Sequence, residues 1–181
     1  MKCCFIGHRK IIETQELKQR LQKTIENLIK ENNVKTFIFG SRSEFDFLCH
    51  QIVSNLMSIY PTIERVVYTC KSEFAVLKQD KTKLEQIFSN AFKQDITLCE
   101  YEKEIEYKTK YTSGKASYIE RNKAMIDASD YCIFYYDENY KPPKRKHSKN
   151  DVLEYQPNSG TALAYDYAKK RKKVLINISQ V

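Results

Sequence analysis

The sequence predicts an α/β fold of three layers, a mostly parallel sheet with helices on both faces, and three observations carry that expectation. Short apolar runs alternate with longer segments of helical periodicity along most of the chain, which is how strands joined by crossover helices read. Three of the four glycines fall where a strand gives way to a helix. At 181 residues the chain has the size of a single domain with its own core. The pattern is that of a Rossmann-like sandwich, for which the natural order of five strands is 3-2-1-4-5.

The elements follow in order. Residues 3–6 form a compact apolar strand. Thr14 suits a helix N-cap, after which Leu17, Leu21, Ile25, Leu28 and Ile29 recur at helical spacing until Asn32 and Asn33 close the helix. Residues 34–39 form a second strand rich in Val, Ile and Phe. Phe45, Leu48, Ile52, Val53, Leu56, Met57 and Tyr60 mark a second helix, which Pro61 stops. Residues 65–70 form a third strand. Between 73 and 113 an insertion or lid is expected, with a helix over 84–92, a strand over 96–101 and a solvent-facing Glu/Lys/Tyr stretch to 111. A helix over 115–128 leads to a strand over 131–136. Residues 137–157, polar, basic and holding three prolines, read as a mobile loop. A helix over 159–172 and a strand over 173–178 complete the domain.

Composition narrows the function classes. No stretch approaches the ~20 apolar residues of a membrane span, and the apolar part of the N-terminus is too short for a signal peptide, so a cytoplasmic protein is expected. The six cysteines contain no CxxC pair and only three histidines accompany them; a metal site is not expected, and free thiols packed as small hydrophobes are. The net charge of +8 is concentrated in Lys141, Lys144, Arg145, Lys146 and Lys149 and in Lys169 to Lys173. Neither run is interleaved with aromatics in the manner of a nucleic-acid platform, and solvated charge is the favoured reading.

The candidate site rests on the glycines. Gly7 ends the first strand, Gly40 the second, and Gly160 opens the last helix. In open α/β sheets ligands bind outside the carboxyl ends of the strands, where glycine admits close approach to the backbone and helix N-termini favour phosphate. The neighbours supply cationic and hydroxyl donors: Gly7-His8-Arg9, Gly40-Ser41-Arg42 and Ser159-Gly160-Thr161. Arg121, early in its helix, suits a fork to phosphate, and Asn122 beside it suits a base or sugar hydroxyl. Asp46 is either a hydroxyl acceptor or a favourable charge at a helix start. Neither a Walker A loop nor GxGxxG occurs.

The segments Cys3-Cys4-Phe5-Ile6-Gly7-His8-Arg9, Phe37-Ile38-Phe39-Gly40, Phe45-Asp46, Glu120-Arg121-Asn122 and Ser159-Gly160-Thr161 resemble the YpsA-like branch of the SLOG superfamily. That superfamily also holds the Smf/DprA Rossmann domains and the LOG phosphoribohydrolases. The resemblance implies a Rossmann-like fold and a pocket for a nucleotide-derived ligand. LOG enzymes carry an arginine in an ERxxxM-like helix, matched here by Glu120, Arg121 and Met125, and a PGGxGTxxE loop. In the second motif, aligned on Gly160-Thr161, Asn158 replaces a glycine and Ala164 stands at the glutamate position.

Cleaving an N-glycoside requires a carboxylate to stabilise oxocarbenium-like charge or activate water, and alanine supplies none. Asp166 falls elsewhere on the helix, about 200° round, leaving Glu44 and Asp46 as substitutes. The expected function is therefore a ligand sensor that requires no cofactor and binds an ADP-ribose-like or NAD-like small molecule. The alternatives are an N-glycoside hydrolase of nucleoside phosphates or NAD with a relocated carboxylate, and a DNA-associated module. Assembly into a homo-oligomer is left open.

Overall fold

A computed structural model describes residues 1–40, 43–68, 102–105, 114–140 and 159–179. Its strands are β1 (Lys2–Gly7), β2 (Thr36–Phe39), β3 (Glu64–Tyr68), β4 (Glu102–Ile105), β5 (Tyr131–Tyr135) and β6 (Val174–Asn177). Its helices are α1 (Gln15–Lys30), α2 (Glu44–Met57), α3 (Gly114–Asp127) and α4 (Gly160–Lys170). The six strands form one sheet in the order β4-β3-β2-β1-β5-β6, and every pairing is parallel.

The five expected strands take the expected order, and β4 extends the sheet beyond β3. It lies at 102–105, inside the stretch read as solvent-facing. Its sequence, Glu-Lys-Glu-Ile, carries no apolar run, so pairing with β3 rather than intrinsic preference defines it. The expected strand over 96–101, the helix over 84–92 and the basic loop from 141 lie outside the described residues.

Alternation along the strands divides the core into two layers. Cys3, Phe5, Phe37, Phe39, Val67 and Ile133 face α1 and α2, meeting Leu17, Leu21, Ile25, Leu28, Leu48, Val53 and Leu56. Each such buried aliphatic side chain contributes about 1.5–3 kcal/mol relative to exposure. Phe5 stacks on Phe39 at 5.0 Å and on Phe37 at 5.9 Å between centroids, locking β1 to β2. On the opposite face Cys4, Ile6, Ile38, Val66, Cys132 and Phe134 meet Met125 and Ile126 of α3 and Ala164 and Ala168 of α4.

Helix ends follow their sequence signals. Thr14 Oγ1 accepts from Leu17 N–H at 3.1 Å, as its N-cap position requires. After α1, Asn33 adopts a left-handed conformation (φ 51°) and Val34 N–H returns to Leu28 O. Lys172 does the same after α4 (φ 53°), with Lys173 N–H donating to Ala168 O.

The amino edge of the sheet is cross-braced. Lys2 N–H donates to Asp130 Oδ2 at 2.8 Å, while Asp130 N–H donates to Lys2 O and Val174 N–H to Asp130 O. Asp127, at the end of α3, accepts from Tyr167 Oη at 2.8 Å and Arg171 Nε at 2.6 Å, both on the α4 side. No helix among the described residues is long and apolar enough to cross a membrane.

Candidate functional site at the carboxyl edge

Between β1 and β5 the chain changes direction across the sheet: β2 to β4 build outward on one side of β1, and β5 and β6 on the other. Such a switch point opens a crevice at the carboxyl ends of the strands. Gly7, His8 and Arg9 end β1 there, and Tyr135 is the register partner of Gly7.

Gly7 is required by packing. A Cβ at this position would lie 2.5 Å from both Cβ and Cγ of Phe45, in the first turn of α2. Its glycine therefore serves helix–strand contact. Arg9 is exposed, and its carbonyl accepts from Glu44 N–H at 3.0 Å. Glu44 in turn engages Lys10 and accepts from Ile11 N–H at 3.0 Å, fastening the loop after β1 to the start of α2.

His8 is only 2% exposed. Its Nε2 lies 3.0 Å from Asp137 N and 3.3 Å from Asp137 O, contacts that hold the ring with either Nε2 or Nδ1 carrying the proton. That Nδ1 is buried and has no hydrogen-bond partner among the described residues. Tyr140 stacks on the ring, centroids 3.9 Å apart and planes 23° apart, and Tyr135 meets it edge-on at 6.3 Å. Burial lowers the His8 pKa from its ordinary value, and the neighbouring Asp137 opposes the shift without reversing it.

Gly40 and Arg121 meet. A Cβ on Gly40 would lie 2.9 Å from Arg121 Nη2 and 3.1 Å from Cζ, so the bare backbone at the end of β2 receives the guanidinium. Arg121 is 4% exposed. It lies 5.2 Å from the Tyr118 ring centroid, and its Nη2 donates to Asn122 Oδ1 at 3.4 Å. Ser41 and Arg42 lie outside the described residues. Asp46 is buried and forms a cap with Ser43: Asp46 N–H donates to Ser43 Oγ, and the hydroxyl donates to Asp46 Oδ2, each at 2.9 Å.

Ser159 caps α4, accepting from Ala162 N–H at 3.0 Å. Gly160 has open space where a side chain would stand, and Thr161 is buried. The first turn of α2 carries Glu44 and Asp46, whereas that of α4 carries no acidic residue. The dipole of α2 is thus already complemented by its own carboxylates, and that of α4 is not. Ala164 is buried against α3 and the sheet, whereas Asp166 is exposed.

Two groupings had no signal in the sequence. One is the company of His8, since Asp137 and Tyr140 come from the far end of the chain. The other is a buried polar cluster beneath α2, where Arg65 Nη1 lies 3.3 Å from His50 Nε2 and also donates to Ser54 Oγ. A separate open groove of about 530 Å³ runs along α3 between Tyr68, Lys123 and Tyr167, and none of the expected site residues lines it. Cys3, Cys4, Cys49 and Cys132 are buried free thiols, and no cluster of metal-ligating side chains occurs among the described residues.

An all-parallel open sheet with helices on both faces, carrying glycine, arginine and a capped helix start at its carboxyl edge, defines a Rossmann-like domain. The family model for YpsA, described as the YspA SLOG family, matches residues 6–170, and the chain belongs to that SLOG family. No curated protein matches it.

Proposed function

We propose that this SLOG protein binds a nucleotide-derived small molecule, of ADP-ribose or NAD type, at the carboxyl edge of its sheet and acts as a sensor rather than a hydrolase. The observation that carries this reading is the seating of Arg121 on Gly40. A buried arginine held against bare backbone at a strand end is a preorganised fork for phosphate. The start of α4, free of acidic residues and open at Gly160, suits a second phosphate. The binding-only reading draws on the carboxylates. Ala164 lies in the apolar core, Glu44 holds the loop after β1, and Asp46 caps α2. Buried reduced thiols suit the cytoplasm.

The test is calorimetric titration with ADP-ribose and NAD, with chromatography for released base. Wild type binds without releasing base. Arg121→Ala weakens binding about 10- to 150-fold, the value of a charge-assisted hydrogen bond. Gly40→Ala, which displaces a flexible guanidinium rather than backbone, keeps the fold and loses binding comparably. Undiminished binding by both variants overturns the site, and base release by wild type overturns the sensor reading.

A further inference from the structure

We propose that Tyr140 is an internal occupant of the ligand crevice, stacked on His8 where the planar base of a nucleotide would otherwise lie. The inference rests on the ligand-binding reading above and adds a regulatory contact to it. Two observations carry it. His8 stands at the β1–β5 switch point, fixed by Asp137 N–H at 3.0 Å. Tyr140 lies parallel to the imidazole at 3.9 Å, the arrangement a heteroaromatic base adopts on an aromatic platform.

Tyr140 is also placed to leave. It belongs to a turn held by Tyr140 N–H to Asp137 O and by Asn139 N–H to Asp137 Oδ1. Asp137, Glu138 and Asn139 are exposed and Tyr140 is half-buried. Moving the ring breaks one stacking contact and leaves the Asp137–His8 bond in place. Ligand affinity is then reduced by the fraction of molecules in which the platform is covered.

Calorimetry with adenosine 5′-monophosphate and with ribose 5-phosphate tests the plug. Tyr140→Ala binds the nucleotide about two- to tenfold tighter than wild type, the range to which an aromatic pair converts. Tyr140→Phe, which keeps the stack, binds like wild type, and ribose 5-phosphate, which has no base, binds all three alike. In wild type, magnetisation transfer between the His8 and Tyr140 rings disappears at saturating nucleotide. Equal or weaker nucleotide binding by Tyr140→Ala, or ring contacts that persist at saturation, overturns the plug alone. Failure of every form, wild type included, to bind either probe removes the ligand-binding reading and the plug with it.

Discussion

Replacing Gly7 by alanine tests how α2 is seated on the sheet. The added methyl would stand 2.5 Å from Phe45 Cβ and Cγ, where carbon atoms in contact prefer about 3.5–4.0 Å. A new rotamer cannot relieve the clash, because Phe45 Cβ moves only with the helix backbone. The start of α2 must therefore retreat by about 1 Å. That start is tied down by the Ser43–Asp46 cap and by Glu44 on Ile11, so the retreat also loosens those bonds. Overpacking costs about 1–3 kcal/mol, and with these attachments the upper end applies. For a chain of this size that lowers the melting temperature by about 6–12 °C. Circular dichroism melts of Gly7→Ala beside Gly160→Ala provide the check. The second variant meets no atom within 4 Å and should be neutral or stabilising by up to about 1 kcal/mol. A Gly7→Ala protein melting within about 1 °C of wild type, or a Gly160→Ala protein equally damaged, would refute the reasoning.

Three other outcomes are expected. Because the folded-state pKa of His8 is lowered, the unfolded chain binds more protons between that value and about 6.5. The stability this supplies is full above about pH 6.5 and is lost as pH falls through the folded-state value. Denaturant titrations should show that slope, and His8→Gln should flatten it. Burial raises the thiol pKa values of Cys3, Cys4 and Cys49 well above normal, so those three and buried Cys132 should resist alkylation at pH 8 until the protein unfolds, as read by mass spectrometry. Lys172→Gly relieves a left-handed lysine (φ 53°) and should raise stability by roughly 1 kcal/mol, seen as a melting increase of about 2–4 °C.

The apolar strands and the amphipathic helices were legible because each carries its own periodicity. Leu17, Leu21, Ile25 and Leu28 identify α1 before any neighbour is known. By contrast β4 was not, since Glu102–Ile105 becomes a strand only beside β3. The site divides in the same way. Gly40 and Arg121 were each recognisable as candidates, yet their contact joins β2 to a helix far along the chain. Gly7 stood out as a glycine at a strand end, and sequence does not distinguish close approach of a ligand from close approach of Phe45. The tyrosine on His8 left no trace, because stacking has no spacing rule between distant segments.

The cross-brace at the amino edge has an effect on how such a domain can diversify. Asp130 and Asp127 bind β1, β5, β6, α3 and α4 together at one end, so the fold is held from the edge opposite the proposed site. The opposite end is freed to change its loops and helix starts without loosening that hold. Loops at that carboxyl edge can be exchanged while the brace stays as it is.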